Sequence, residues 1–337
     1  MKIGILTSGG DCPGINATIR GVCKTAIRHY GMEVFGIHNG FRGLLDNDVI
    51  PLKEDSLTGL LNRGGTVLGT SREKPFKRRG NTALSEDKPA MLLHTIRERQ
   101  LDCIVCIGGN GTQKTAARLA EAGVNVVSVP KTIDNDVWGT DFSFGFDSAV
   151  SIATEAIDRL HSTASSHQRV MVIEVMGHKA GWIALYSGMA GGGDIILLPE
   201  IPFDIHRIGD AIINRLKNGK PYSIVVVAEG IATRDGKKAA QFVAEEIEYE
   251  TGFETRETVL GYIQRGGSPT AFDRNLATRM GGHATELIAG GQFGRMVALQ
   301  GDVIGSIPLS ETAGKLKLVT EEHDLVVQGR RMGICFG

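Results

Sequence analysis

Short runs in which nearly every residue is apolar recur along the chain, and most end in glycine or a polar turn. KIGILT (2–7), CIVCI (103–107), VNVVSVP (124–130), RVMVIEVMG (169–177), DIILLPE (194–200), YSIVVVAEG (222–230) and ETVLGYIQRGG (257–267) have the length of strands. Strands apolar on almost every position belong to parallel sheets covered on both faces. Between them lie segments with apolar residues at helical spacing, such as INATIRGVCKTAIRHYG stopping at Gly31 and QKTAARLAEAG ending at Gly123. Strand, glycine turn and helix thus alternate, which predicts an α/β fold. About nine to eleven strands are many for one open sheet, so two α/β bodies meeting at a cleft are expected, with the active site beyond the carboxyl ends of the strands. No proline-rich or charged linker marks their boundary.

Composition narrows the function. A chain of 337 residues exceeds the usual size of one core. Charged residues are 22% and nearly cancel to a formal −1, so there is no global field for nucleic acid or an anionic membrane, and any grip on phosphate must be local. No apolar stretch approaches the roughly 20 residues that span a bilayer, and MKIGILTSGG lacks a signal-peptide core, so a cytoplasmic protein is expected. The five scattered cysteines suit a reducing compartment. Cys103 and Cys106 form a CxxC, but positions three apart face opposite sides of a strand, which favours a buried structural role over metal or redox use.

Three clusters carry candidate chemistry. TSGGDCPG (7–14) and GGNGT (108–112) each join a strand to a helix, where bare N–H groups and the helix dipole receive phosphate. Neither is a Walker sequence or a GxGxxG fingerprint, and two together point to a polyphosphate donor. KTIDND (131–136) follows a strand-like run; in an extended loop Thr132, Asp134 and Asp136 would share one side. Paired carboxylates repel unless a cation or proton relieves them, so one would serve magnesium and the other accept a substrate proton. An Asx-rich turn capping a helix is the alternative reading of these residues. Arg169 in SSHQR, Arg256 in ETR and Arg265 in YIQRGG sit beside strand candidates and suit a phosphorylated substrate, with Glu229 in AEG available for sugar hydroxyls. VMGHKAGW adds His178 and Lys179 past a strand end; alone, His178 reads as a surface residue.

With these segments in order, together with GGTVLGTSR and GTDFSFGFDSA, the chain resembles the 6-phosphofructokinase family along nearly its whole length. The resemblance implies two similar three-layer α/β domains with mainly parallel sheets and the active site in the cleft between them. It divides the chain into a donor-binding domain over 1–140 plus about 262–306, and a sugar-phosphate domain over about 141–261 plus 307–337. It implies magnesium-dependent phosphoryl transfer to the 1-hydroxyl of fructose 6-phosphate. Asp134 corresponds to the family's base, Asp136 and Asn110 stand near the metal, and Thr132 and Gly10 stand near the transferred group. Arg72, Gly109, Gly111, Thr112 and Lys131 match donor contacts. Met176, Gly177, His178, Glu229, Tyr262 and Arg265 match sugar-phosphate positions. Arg169 and Arg256 resemble arginines that complete a neighbouring subunit's site in a homo-oligomer, a dimer or a tetramer.

The donor signals conflict. Gly111 leaves space for ATP, whereas Lys131 resembles the lysine of pyrophosphate users; Gly111 weighs more, since a flexible lysine swings aside or binds either donor. Asn110 for aspartate, His178 for arginine and Tyr262 for histidine depart from common ATP-dependent members and point to a mixed subgroup. Arg20, Lys24 and Lys220 fit the family's effector site, but Glu54, His161 and Asn218 fall where further cations are expected, so weak or absent control by anionic effectors follows. The alternatives are pyrophosphate-dependent chemistry and, outside catalysis, a silent phosphate-ligand sensor of the same fold.

Overall fold

The first glycine-ended run forms β1 (Lys2–Ser8), and the amphipathic segment after it forms α1 (Ile15–Tyr30), stopped by Gly31 in the left-handed region. Then follow β2 (Glu33–Ile37), α2 (Phe41–Leu45), β3 (Val49–Pro51), α3 (Lys88–Glu98), β4 (Cys103–Gly108), α4 (Asn110–Glu121) and β5 (Val126–Pro130). Next come α5 (Phe146–His167), β6 (Val170–Val175), α6 (Trp182–Ala190), β7 (Ile195–Leu197), α7 (Ile205–Lys217), β8 (Ser223–Ala228), α8 (Ala239–Thr251) and β9 (Thr255–Val259). The last elements are α9 (Ala271–Ala289), β10 (Arg295–Gln300), β11 (Val303–Pro308), α10 (Leu309–Thr312) and α11 (Asp324–Arg331). This computed structural model describes residues 1–76, 88–234 and 236–337.

The chain divides into two compact units. Unit 1 takes Met1–Thr132, Val137–Gly145 and Arg265–Leu316; unit 2 takes Ile133–Asp136, Phe146–Gln264 and Lys317–Gly337. Unit 1 holds a seven-stranded sheet in the order β11-β10-β5-β4-β1-β2-β3, parallel except at β2/β3 and β10/β11. Its strands carry apolar residues on both faces because both are covered. Leu6, Ile104, Cys106 and Val126 pack against Phe41, Leu44, Leu92 and Leu119 of α2, α3 and α4, while α1 and α9 pack together as a pair. Unit 2 holds a four-stranded parallel sheet, β7-β8-β6-β9. Val172, Leu197 and Val225 face Ile208 and Ile212 of α7 and Val243 and Ile247 of α8; α5 and α6 pack against the same sheet.

The mainly parallel α/β architecture in two sheets is the expected fold class. Details differ from the sequence reading. ETVLGYIQRGG is not one strand: β9 ends at Val259, and Gly261, at φ +53°, turns the chain into a 3₁₀ segment, Gly261–Arg265. The helix after β4 begins at Asn110, so Asn110, Gly111 and Thr112 belong to its first turn. Cys103 and Cys106 are fully buried, and burial pushes the Cys103 thiol up to about 12, far from a reactive thiolate at neutral pH. Among the described residues no helix is long and apolar enough to cross a membrane.

Candidate active site

In unit 1, β1 runs into the Gly9–Gly10 turn, where Gly9 adopts φ +87°. The segment carrying Arg72 is tied along this turn: the Gly9 N–H donates to the Ser71 carbonyl at 3.0 Å, and the Thr70 hydroxyl donates to the Gly9 carbonyl at 2.7 Å. Asn16, fully buried on α1, holds the preceding loop by donating to the Arg63 carbonyl (3.0 Å) and accepting from the Val67 N–H (2.9 Å). Asn16 was missed in the sequence; a polar residue on the apolar stripe of INATIR was its only signal. The Arg265 guanidinium donates through Nη1 to the Asp11 carbonyl at 3.3 Å, and a Cβ at residue 10 would lie 2.7 Å from that same nitrogen. Glycine at position 10 is therefore what lets the cation approach. Arg265, expected among sugar-phosphate contacts, thus lies in unit 1 against the first glycine turn.

Lys131 lies against the same turn. It is buried, and its ammonium donates to the Ser8 carbonyl at 3.2 Å and to the Gly10 carbonyl. A lysine buried and bonded in this way is held as a charge beside the turn, because moving it would give up both bonds. At the second turn Gly109 caps α4. The Gln113 side chain donates to the Gly108 carbonyl at 2.8 Å and accepts from the Ser128 hydroxyl at 2.5 Å, which locks the start of the helix. A Cβ built at Gly111 meets no atom within 4 Å, so the dipole end of α4 is open there.

The acid loop is not extended. Ile133 and Asp134 form a turn and Asn135 takes the left-handed φ of +50°, so the alternation that would align Thr132, Asp134 and Asp136 does not hold. Asp134 is 9% exposed and Asp136 5%, so the two carboxylates are taken largely out of water. The backbone fixes the loop at both ends. The Ser143 hydroxyl donates to the Thr132 carbonyl at 2.8 Å, and the Lys317 N–H donates to the Asp136 carbonyl at 2.9 Å. The chain passes from unit 1 to unit 2 between Thr132 and Ile133.

In unit 2, Arg169 and Arg256 are brought together by a residue the sequence reading passed over. Glu254 accepts from Arg169 Nε at 2.7 Å and from Arg256 Nη2, and these contacts hold its carboxyl below the usual range, the Arg169 hydrogen bond contributing most. At the end of β6, the Met176 N–H donates to the Gln264 side chain at 3.3 Å. Glu229 Oε1 accepts from the N–H groups of Gly177 (3.2 Å) and His178 (2.8 Å). His178 sits at φ +54°, an uncommon conformation for a non-glycine residue and one that clusters at functional sites. Gln264, fully buried, was the unread member of YIQRGG. Tyr262 stands 76% exposed, away from any core.

Among the described residues no group of three or more His, Cys, Asp or Glu could cage a metal ion. Three of the effector-type positions, Lys24, Glu54 and His161, have partners within the chain. Arg28 bonds to Glu54, with Lys24 at 4.0 Å from the same oxygen, and His161 Nε2 lies 2.7 Å from the Gly191 carbonyl.

The phosphofructokinase family model matches residues 2–288. ATP-dependent 6-phosphofructokinase 3 of Bacteroides thetaiotaomicron is 78% identical over 337 residues, covering 100% of each chain. A pyrophosphate–fructose 6-phosphate 1-phosphotransferase of Streptomyces coelicolor is 48% identical, covering 95% of this chain and 96% of its own. The solved phosphofructokinase of Pichia pastoris superposes with a TM-score of 0.85 at 31% identity over 93% of this chain, which spans 35% of that longer protein. The glycine turns, the acid loop and the paired arginines thus sit in a chain that belongs to the phosphofructokinase family.

Proposed function

We propose that the protein transfers the terminal phosphoryl group of ATP to the 1-hydroxyl of fructose 6-phosphate, giving fructose 1,6-bisphosphate and ADP in the cytoplasm. The observation that carries this reading is full-length likeness, at 78% identity, to a relative named as an ATP-dependent 6-phosphofructokinase. Donor phosphates lie along the Gly9–Gly10 turn and the first turn of α4, where Gly109, Asn110, Gly111 and Thr112 offer backbone N–H groups and the helix dipole. Arg72 and Lys131 supply the countercharge. The sugar phosphate is held by Met176, Gly177, His178, Glu229, Tyr262 and Arg265; Arg169 and Arg256 complete the site of a second subunit in a homo-oligomer.

Asp134 accepts the proton of the 1-hydroxyl as the sugar oxygen bonds to the terminal phosphorus. The bond from that phosphorus to the bridging oxygen of ADP breaks as it does so. A site with two carboxylates and no protein cage suits magnesium, which keeps most of its waters and arrives on the phosphates. Asp136 and Asn110 would hold it, and it would neutralise the oxygens of the transferred group. Thr132 and Gly10 line the same transfer. The test is Asp134→Asn: with the fold intact by thermal melting, turnover falls about 10²–10⁴-fold, the usual worth of a general base. Near-normal turnover removes the assignment.

A second reading, pyrophosphate as donor, is favoured by one observation: the Lys131 ammonium fixed at the Gly9–Gly10 turn. Side-by-side assays with ATP and pyrophosphate decide between them.

A further inference from the structure

The stretch Lys317–Val319 belongs to no helix or strand, so its backbone groups must find partners elsewhere. Three of them do so within unit 2. The Lys317 N–H donates to the Asp136 carbonyl at 2.9 Å. The Lys317 carbonyl accepts from Trp182 Nε1 at 2.9 Å, and the Lys317 ammonium lies 5.3 Å from the same indole ring. The Val319 N–H donates to Glu200 Oε1 at 3.0 Å. Glu200 is in turn fixed to the start of α6, since the Gly181 N–H donates to Oε1 at 2.9 Å and Oε2 at 3.1 Å. A Cβ at residue 181 would lie 2.8 Å from Glu200 Oε2 and 2.7 Å from Leu198, so only glycine admits the carboxylate this close. The Trp182 indole and the Val319 side chain are buried, and Lys317 and Glu200 are half-buried.

We propose that Glu200 and Trp182 are positioning residues for the acid loop, acting through the 317–319 strap that grips the Asp136 carbonyl. The helix α6 is the fixed point, Glu200 and the indole are the two clasps, and the strap transmits their position to residues 133–136. A carboxylate accepting buried N–H groups makes the stronger of the two clasps. The loop needs such support because Asn135 is held left-handed and both acids are largely buried, so no regular hydrogen-bond ladder sets their aim. The inference rests on the proposed roles of Asp134 and Asp136.

The experiment compares wild type with Glu200→Ala, Glu200→Gln and Trp182→Phe, with turnover expressed per folded molecule and amide hydrogen exchange followed at Lys317. Misplacement of reacting groups by about 1 Å costs on the order of 10²-fold. Glu200→Ala is expected to lower kcat about 10- to 100-fold while the KM for fructose 6-phosphate stays within about threefold. Glu200→Gln, which keeps an acceptor oxygen, restores most of kcat; Trp182→Phe, which keeps the ring and removes the donor, lowers it several-fold. The Lys317 amide exchanges faster in the alanine and phenylalanine variants. Wild-type kcat in either folded variant, or unchanged exchange at Lys317, overturns the proposal; if Glu200→Ala does not fold, Trp182→Phe decides by the same two readouts. Exchange needs no turnover, so a wild type inactive on fructose 6-phosphate would sink the functional reading while the strap is still judged by its amide.

Discussion

Replacing Gly111 by aspartate isolates the donor choice. Gly111 is the second residue of α4, in backbone without positive φ, and its absent Cβ faces open space. The fold therefore accepts the side chain without a clash. An acid in a first helical turn adds about 0.3–1 kcal/mol through the helix dipole, and leaving glycine adds roughly another 0.5 kcal/mol. Gly111→Asp should be as stable as the parent or slightly more so. Binding moves the other way, because the new carboxylate occupies the space into which the dipole end of α4 opens. A unit negative charge about 4–5 Å from a phosphate oxygen costs roughly 3–4 kcal/mol at an effective dielectric of 20. That corresponds to a fall of about 10²–10³-fold in kcat/KM for ATP. The measurement is a coupled steady-state assay with saturating fructose 6-phosphate, each donor varied in turn, beside a thermal melt. ATP efficiency within threefold of the parent in a folded variant would refute both the steric reading of Gly111 and the placement of the donor at α4.

Other expectations follow from neighbouring features. Lys131→Met removes the ammonium's bonds to the Ser8 and Gly10 carbonyls, of which Ser8 keeps the Thr112 hydroxyl at 3.4 Å, and should destabilise the fold by about 1–3 kcal/mol in urea titration; an unchanged midpoint would mean that the ammonium is not holding the turn. Activation by ADP at low fructose 6-phosphate should be weak or absent, because Glu54, His161 and Asn218 stand where further cations would be needed and Glu54 lies 4.0 Å from Lys24; a several-fold rise would overturn that reading. Burial raises the Glu200 carboxyl above its ordinary value of 4.5. The folded state therefore binds that proton more tightly than the unfolded chain, and the stability so gained is complete below 4.5 and lost as pH climbs through the raised value. Equilibrium unfolding of wild type against Glu200→Gln should shift in favour of the glutamine variant across that window, and a difference flat in pH would contradict the sign.

Much of the fold was legible because apolar residues at nearly every position can only be strands covered on both faces. The runs at 2–7, 103–107 and 222–230 all became central or near-central strands. Strands β2, β3, β10 and β11 were not read: β3 has only three residues, β2 and β11 are partly exposed, and the buried MVAL of β10 is a short run closed by Arg295 and Gln300. At the site, the glycine turns and the acid loop announced themselves by composition. Asn16, Glu254 and Gln264 did not, because their importance lies in partners 47, 85 and 88 residues away, which no local spacing encodes. The parity argument at KTIDND failed for a local reason: it assumed extended backbone where Asn135 bends it.

The carboxylate shared by Arg169 and Arg256 makes capture of an anion there an exchange and not an addition. Under the proposed role, an arriving phosphate would displace Glu254 from one nitrogen of each arginine, its oxygens taking over both contacts. If the two arginines bind phosphate as proposed, Glu254 would be the resident competitor that regains both contacts when the phosphate departs.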